Sequence, residues 1–417
     1  MSLSTPASAK PPLIPPATLP LLIAAISTMG PFSIDTYLPS FREMEHALHA
    51  TPLQIQQTLT AFLIPFAFMS LWHGALSDAL GRRPVIIVAL GIVAAASVGC
   101  ALATNIETLW FFRAVQGLFA GVFVVGRAVV RDVYEGPAAQ RVIAQVSVLF
   151  AIAPAMAPVL GGQLHELFGW RSVFYFLAVF AALTALWSAL CLPETLPREL
   201  RQPLRAGPLL RAYRQTFSHR GFLLCALVVA FNFTAIFIYV AGAPAFLLRH
   251  LHVRETEFLW LFGPVTAGMA LGSAISGKLA GQLDWRHTLG WSYAAMITAS
   301  AANVLLHLTG EASLPWSVIP LFVYAAGMSL SMPSLTLIGL DYFPQHRGLA
   351  SSCQAFLLTA GNALTAGLIV PLVSASPALM AGAAAVLMFA GLLCTWSLST
   401  VMRKAALASP EGAVVAD

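Results

Sequence analysis

Charge is scarce in this sequence. Asp, Glu, Lys and Arg together make up 9% of the 417 residues, whereas they make up about a quarter of an ordinary soluble domain. Hydrophobic residues make up 58%, and the mean hydropathy is +0.80. Apolar runs of about 18 residues or more, each long enough for a membrane-spanning helix, recur along almost the whole chain. This composition excludes a soluble globular protein and indicates a polytopic membrane protein.

Cysteines are few, and phosphate-binding and metal-binding motifs are missing. The five cysteines fall inside or at the end of apolar runs. They lack the spacing of a disulfide or metal framework, so a small apolar packing role is expected. The sequence contains no Walker phosphate loop and no HExxH cluster, which argues against ATP drive and against a zinc hydrolase. We therefore expect no metal and no cofactor.

Twelve apolar segments are predicted to cross the membrane as helices, because only helices satisfy their own backbone in lipid without a closed barrel. No clear signal-peptide cleavage site follows the first run, so that run is expected to remain as a helix. The fold class is therefore an all-α membrane protein. The predicted spans are 18–40, 54–77, 84–104, 107–131, 140–164, 170–192, 221–248, 257–280, 286–309, 314–340, 346–372 and 376–401.

The positive charges indicate the orientation of these spans. With the N-terminus in the cytoplasm, most of the 22 Lys and Arg residues fall in cytoplasmic segments, and Arg113 lies inside a span. The exceptions in the outer loops are Arg42, Arg171, Arg249 and Arg254. This distribution obeys the positive-inside rule and predicts two cytoplasmic termini. The same excess of basic residues on the cytoplasmic side explains the pI of 9.1. Nucleic acid is therefore not an expected partner, and the lipid bilayer is.

The longest inner loop, PETLPRELRQPLRAGPLLRAYRQTFSHR, separates two sets of six spans. We interpret it as a solvated linker that fixes orientation; in a second interpretation its arginines lie on anionic headgroups. The predicted organisation is a cytoplasmic tail (1–17), a six-helix bundle (18–192), the linker (193–220), a second six-helix bundle (221–402) and a cytoplasmic tail (403–417).

The two halves of the sequence repeat each other. YLPSF at 37–41 corresponds to GAPAF at 242–246, and GALSDALGRR at 74–83 corresponds to GKLAGQLDWR at 277–286. Both pairs occupy equivalent positions in their set of six spans. Parallel six-helix repeats are typical of transporters that bind substrate between the halves, near the membrane midplane.

Several motifs resemble those of the major facilitator superfamily. GALSDALGRRP at 74–84 is similar to its loop signature between helices 2 and 3, and RAVQG at 113–117 to its helix 4 motif. APAMAPVLGG at 153–162 and LPETLP at 192–197 resemble the helix 5 and helix 6 motifs of its drug–proton antiporters. SIDTYLPSF, QQTLTAFL and GRAVVRD look like the bicyclomycin and chloramphenicol (Bcr/CflA) branch. The resemblance implies two pseudo-symmetric bundles in a monomer of the bacterial inner membrane.

Two positions depart from the family pattern. Ala153 stands where the helix 5 motif normally has a glycine before its first proline. Ser27 stands where some multidrug members carry a second acid in helix 1. The serine at position 27 argues against a mechanism with two titrating acids in helix 1, and against the transport of dications.

The charged stretch at 74–84 is predicted to form a gate that latches the cytoplasmic side while the protein opens outward. Glycines let helix ends approach closely. By the family pattern, Asp78 accepts hydrogen bonds from the positive start of helix 11, and Arg82 pairs with Asp132 at the inner end of helix 4. In the alternative, Arg82 and Arg83 serve only as topology signals. The predicted gate residues are Gly74, Asp78, Gly81, Arg82, Arg83 and Asp132.

Asp35 in span 1 and Arg113 in span 4 are the candidates for proton coupling. An ionisable residue inside a span is costly and is a functional candidate by default. The two residues lie at similar depths, and family folds place helices 1 and 4 together around the cavity. We therefore expect direct or water-bridged neighbours, with Arg113 helping to expel a proton from Asp35. The alternative is a static pair that fixes helix packing.

Two further groups of residues carry weaker signals. The helix 5 motif is expected to bend or loosen its helix near the interface of the halves, and so to block proton leaks. Its residues are Pro154, Pro158, Gly161 and Gly162.

A polyspecific substrate pocket is mostly apolar and aromatic with a few polar groups. For each residue proposed to line it, a packing or lipid-facing role is the alternative. The candidate cavity residues are Gln57, Phe62, Asn232, Phe233 and Tyr239.

Together these features predict a proton-coupled exporter of small, mostly apolar antibiotics such as amphenicols or bicyclomycin, with drug and protons as its partners. One alternative keeps the fold but imports a small metabolite; the antiporter-type helix 5 motif argues against it. A membrane-embedded enzyme or receptor needs a catalytic constellation or a sizeable soluble domain, and the sequence contains neither.

Overall fold

The computed structural model describes residues 18–408, except 135, 280, 281, 283 and 311. Every regular element in this part of the chain is helical. Twelve helical segments are long and apolar enough to cross a membrane, as the sequence predicts. Spans 1 to 12 are Thr18–Ala47, Pro52–Leu80, Arg82–Ala101, Ile106–Val133, Arg141–Phe168, Trp170–Cys191, Arg220–Ala241, Glu255–Leu279, Trp285–Thr309, Ile319–Asp341, Arg347–Val373 and Pro377–Arg403.

Local sequence explains where several spans begin and end. Span 2 starts with a capping box in which the Thr51 and Gln54 side chains each accept from the other residue's backbone N–H. Asn105 caps span 4 through the backbone N–H of Thr108. The turn between spans 2 and 3 places Gly81 at a φ of +105°, a conformation that glycine adopts without strain.

Among the described residues, three spans contain a break or a π turn, and a fourth is followed by a π turn. Such irregularities leave backbone groups without their regular helical partner and often lie at functional sites. Span 1 ends its first segment at Asp35, span 4 is interrupted at 121–122, and span 7 is followed by a π turn. The segments concerned are Thr18–Asp35, Leu38–Ser40 and Phe41–Ala47 in span 1; Ile106–Ala120 and Phe123–Val133 in span 4; Pro244–His250 after span 7; and Arg347–Leu364, Thr365–Ile369 and Val370–Val373 in span 11.

The spans pack in a pattern that repeats. In the first half of the chain (18–191), span 1 packs on span 5, span 2 on span 4 and span 3 on span 6. In the second half (220–403), span 7 packs on span 11, span 8 on span 10 and span 9 on span 12. Each pairing thus recurs six spans later. The main contacts between the halves are span 2 with span 11 and span 5 with span 8.

The two ends of the bundle differ. We call the end that holds residues 74–84 and 193–219 the linker end, and the end that holds residues 36–51 and 242–258 the far end. At the linker end, residues of spans 2, 4 and 11 and of the linker line a cavity of about 470 Å³. At the far end, residues of both halves line a smaller cavity of about 380 Å³. Hydrogen bonds and an ion pair nevertheless join the halves there. The structure is therefore more open at the linker end, and we call the far end closed because these contacts join the two halves across it.

The linker contains a helix, Ala206–Ser218, that packs against spans 7 and 11. Tyr213 is 6% exposed and donates a hydrogen bond to the carbonyl of Leu71 in span 2. The backbone N–H of Gln202 donates to the carbonyl of Asp78 at 3.1 Å. The segment that the sequence marks as solvated thus holds the end of span 2 in place.

Candidate functional site

Asp35 lies at a helix end. It is the last residue of the segment Thr18–Asp35, and the chain turns at Thr36 and Tyr37. The residue is 4% exposed, and its buried Oδ1 has no hydrogen-bond partner among the described residues. Burial and the negative end of a helix dipole both oppose a negative charge here. Such a carboxyl group is a candidate for proton exchange, and the helix end is a feature that sequence reasoning missed.

Arg113 is fully buried in span 4. Its Nη1 donates to the carbonyl of Ser33 at 2.9 Å and to Oε1 of Gln116 at 2.8 Å. The guanidinium lies over the rings of Tyr37 and Phe62, at 4.4 Å and 4.5 Å from their centroids. Ser33 is within the last turn of its helix, where carbonyls lack a regular partner and a cation is favourable. Arg113 therefore holds the end of the first helical segment.

The structure shows no direct ion pair between Asp35 and Arg113, two of the residues that it describes, and the water-bridged arrangement that the sequence also allows stays a prediction. Among the described residues, no ion pair with nitrogen and oxygen within 4.0 Å joins them. Arg113 donates instead to the Ser33 carbonyl, and its Nη2, like Asp35 Oδ1, has no hydrogen-bond partner among the described residues.

A polar network extends from Arg113 into neighbouring spans. Gln116 Nε2 donates to Ser97 Oγ at 2.6 Å, which connects spans 4 and 3. The hydroxyls of Tyr37 and Thr58 lie 2.9 Å apart and connect spans 1 and 2. Sequence reasoning did not single out these partners. A signal for Gln116 was available, since residues three positions apart share a helix face.

Arg82 is the centre of a charged cluster at the linker end. Its Nε donates to Asp132 Oδ2 at 3.2 Å, so the structure contains the pair expected from the sequence. Its Nη1 donates to Ser77 Oγ at 2.6 Å and forms an ion pair with Asp78. Its backbone N–H donates to Glu194 Oε1 at 2.9 Å. The Arg82 side chain is only 10% exposed, which strengthens these charge-assisted contacts.

The expected contact between the gate and the start of span 11 is not present among the described residues in this conformation, in which the linker end is open. Asp78 binds Arg82 rather than the start of span 11, because the cavity separates spans 2 and 11 at this end. A Cβ at Gly74 would meet nothing within 4 Å, so no close approach occurs there. A Cβ at Gly81 would collide with the Glu194 side chain. Arg83 donates to a carbonyl of span 6 at 2.6 Å.

The glycines of span 5 allow close packing at the far end. Its helix, Gly136–Phe168, continues through Pro154 and Pro158. A Cβ on Gly161 would collide with the carbonyl oxygen of Thr36, and one on Gly162 with that of Glu255, in the other half. An ion pair between Arg249 and Glu45, at 3.2 Å, also joins the halves here. In this structure the two glycines serve close packing.

None of the five candidate cavity residues lines the cavity at the linker end. Phe62 and Tyr239 are fully buried, and Asn232 is 2% exposed. Phe62 lies under the Arg113 guanidinium. Tyr239 accepts a hydrogen bond from Asn303 at 2.7 Å, and Asn232 donates to Tyr293 at 3.2 Å. In this conformation these three have packing contacts. The remaining candidates are Gln57 and Phe233, both half-buried.

Sequence comparison places these features in a family. The model of the Major Facilitator Superfamily matches residues 21–366. The chain belongs to the major facilitator superfamily. The protein is therefore a membrane transporter with a small-molecule substrate and not an enzyme. The resemblance seen in the sequence motifs is confirmed at this level.

Relatives within the superfamily include drug-resistance proteins. The chain is 33% identical to an uncharacterized MFS-type transporter, YdgK, of Bacillus subtilis strain 168, over 81% of this chain and 85% of that protein. It is 27% identical to a bicyclomycin resistance protein homolog of Haemophilus influenzae, over 84% and 88%. It is also 27% identical to a chloramphenicol resistance protein of Pseudomonas aeruginosa, over 77% of each chain.

Solved structures of superfamily transporters share the fold. A bacterial homolog of the human lysosomal transporter Spinster, in an inward-facing and occupied conformation, matches with a TM-score of 0.70 at 18% identity, over 94% of this chain and 96% of that chain. The xylose transporter XylE from E. coli matches with a TM-score of 0.70 at 11% identity, over 92% and 97%. The all-helical major facilitator fold is thus confirmed.

Proposed function

We propose that the protein is a proton-coupled exporter of small, mostly apolar antibiotics of the amphenicol or bicyclomycin type. It works as a monomer in the bacterial cytoplasmic membrane, with the linker end facing the cytoplasm. The excess of Lys and Arg in the linker-end segments supports this orientation. The names of the relatives in Haemophilus influenzae and Pseudomonas aeruginosa support the class of substrate.

The observation that carries the proposal is the buried carboxyl group of Asp35. It lies at a helix end with Oδ1 unpartnered among the described residues. In the proposed cycle, Asp35 takes up a proton when the far end is open and releases it when the linker end is open. Drug and proton compete for one state of this group. Arg113 fixes the segment that carries Asp35 and favours its charged form from beyond ion-pair distance.

Alternating access follows from two six-helix units that rock against each other. The units are residues 18–192 and 221–402, joined by the linker 193–220. In the conformation described, drug enters the open cavity at the linker end. When that end closes, Asp78 leaves Arg82 and caps the start of span 11, while Arg82 keeps Asp132.

The energy available from the proton is sufficient for export. A charge that moves through about 150 mV yields roughly 3.5 kcal/mol, from about 2.3 kcal/mol per 100 mV. That energy supports a drug gradient of a few hundred-fold, since about 1.4 kcal/mol corresponds to tenfold.

Drug-induced proton release tests the proposal. Purified protein in weakly buffered detergent is mixed with chloramphenicol, with bicyclomycin and then with a panel of other compounds. We expect the native protein to release up to about one proton per molecule as the drug saturates, and the Asp35→Asn variant to release none. Glu107→Gln is the matched control, because Glu107 is an exposed acid at the start of span 4.

The result that contradicts the proposal is equally specific. Drug binding shown by calorimetry, without proton release from native protein, would place coupling elsewhere than Asp35. Import of a metabolite with the same fold would then be the better interpretation, and uptake assays would follow.

A further inference from the structure

Two adjacent glutamines of span 2 bind the other half of the protein. Gln57 Nε2 donates to the carbonyl of Gly367 at 2.8 Å. Gln56 Nε2 lies 3.3 Å from the carbonyl of Ala241 and 3.4 Å from that of Ala366. Gln56 is 8% exposed. All three acceptors are backbone groups of spans 7 and 11 at the far end.

The acceptors lie at irregular points of their helices. Ala366 and Gly367 belong to the π turn Thr365–Ile369 of span 11. Ala241 is the last residue of the span 7 helix. A π turn and a helix end are places where carbonyls lack their regular partner. The glutamine amides can therefore donate to these carbonyls without competing with a regular helical bond.

Close packing at Gly367 makes this contact possible. A Cβ at this position would lie 2.8 Å from Thr60 Oγ1 and 2.9 Å from Thr60 Cγ2. It would also lie 3.5 Å from Gln57 Oε1. Spans 2 and 11 reach hydrogen-bonding distance at the far end because residue 367 has no side chain.

These contacts exist in a conformation that is closed at the far end. Their donors lie in the first half and their acceptors in the second, so they must break when the far end opens. We propose that Gln56, Gln57 and the π turn Thr365–Ile369 form an amide latch, whose strength sets how often the far end opens. This inference rests on the alternating-access part of the proposed function, and not on the drug or on proton coupling.

The chemistry of the latch suits a reversible contact. An amide carries no charge and does not titrate near neutral pH, so the latch keeps its strength while Asp35 gains and loses a proton. Each net hydrogen bond between neutral groups shifts an equilibrium by roughly 2- to 12-fold. Three such contacts bias the far end toward closure without locking it. The ion pair Arg249–Glu45, by contrast, depends on ionisation and salt.

Distance measurements by electron paramagnetic resonance test the latch without substrate. Spin labels are attached through genetically encoded ketone side chains at positions 102 and 308, so the native cysteines stay. Leu102 and Leu308 are exposed, at the far ends of spans 3 and 9, one in each half. A longer distance reports an open far end.

We expect Gln56→Leu/Gln57→Leu to raise the open population about tenfold over the native protein, equally at about pH 6 and pH 8. The single Gln57→Leu variant shows a smaller rise. Gln354→Leu is the matched control, since its amide lies 3.4 Å from Thr336 Oγ1 within one half. An unchanged distribution in the glutamine variants, or an equal shift in Gln354→Leu, overturns the latch.

A second pair of variants tests the same contact if the leucine variants fold poorly. Gly367→Ala is expected to open the far end by collision with Thr60. Adding Thr60→Ala removes both colliding atoms and restores closure. Failure of Thr60→Ala to reverse the effect overturns the role of this packing. Because no drug or gradient is present, these outcomes are independent of whether Asp35 couples protons to drug export.

Discussion

Arg113 and Asp35 are the two side chains on which the proposed proton coupling depends. Both are buried at the end of the segment Thr18–Asp35. Arg113 binds the Ser33 carbonyl, while the Oδ1 of Asp35 has no described partner. A guanidinium can donate in two directions while its face lies on aromatic rings, whereas an ammonium is a point charge. The contacts of Arg113 in this structure therefore need a guanidinium.

We predict that Arg113→Lys keeps the positive charge and loses most of the transport activity. Lysine cannot donate to Ser33 and Gln116 while lying flat between Tyr37 and Phe62. Lost hydrogen bonds to a charged group cost about 1.5–3 kcal/mol each, so transport in proteoliposomes should fall at least about tenfold and the melting temperature should drop. Arg211→Lys, on the exposed face of the linker helix, should change neither quantity.

Two glycines of the charged loop are predicted to differ in their tolerance of a methyl group. Gly81→Ala should lower the stability by about 1–3 kcal/mol, because its φ of +105° disfavours a side chain. Gly74→Ala should leave the stability nearly unchanged, since a Cβ there has open space. Thermal unfolding in detergent measures both. A smaller loss for Gly81→Ala than for Gly74→Ala would contradict this reading of the turn.

At the scale of single helices, glycines in span 5 and a π turn in span 11 allow the close contacts at the far end. Span 5 carries Gly161 where it meets span 1 and Gly162 where it meets the other half. Span 11 carries a π turn where it meets span 2. The glycines are visible in the sequence as part of APAMAPVLGG. The π turn is not, because a single shifted hydrogen bond leaves the apolar composition and its period almost unchanged.

We predict that Gly162→Ala prevents full closure of the far end. The added methyl group would meet the Glu255 backbone, which cannot move aside as a flexible side chain can. Drug transport should fall at least about tenfold, and proton leak into proteoliposomes that contain a pH-sensitive dye should rise. Gly91→Ala, where a Cβ meets nothing within 4 Å, is the control. Normal transport by Gly162→Ala would show that the contact is dispensable.

At the scale of the whole molecule, the direction of the proposed transport depends on how the protein is oriented in the membrane. We predict that a fluorescent protein fused after Asp417 is fluorescent in bacterial cells, and that an alkaline phosphatase fused there is inactive. The physical reason is the concentration of Lys and Arg in the linker-end segments. Fusions within the loop after Ala101 should give the reverse result. An active phosphatase at the C-terminus would contradict the proposed orientation and the direction of the transport cycle.

The sequence alone determined the class of protein, the twelve spans and the family. Hydrophobic length and charge placement are local properties, and motifs such as GALSDALGRRP are local as well. The pairing of Arg82 with Asp132 also followed from the family pattern, and the structure contains that contact.

Tertiary structure alone decided which residues bind or pack on the backbone of another helix. The glutamine latch, the Arg113–Ser33 contact and the packing of Gly162 on Glu255 all involve backbone atoms of another helix. Every residue presents the same backbone carbonyl, so no side-chain pattern marks it as an acceptor. The separation of Asp78 from span 11 likewise depends on the conformation of the whole transporter, which one sequence shares among all its states.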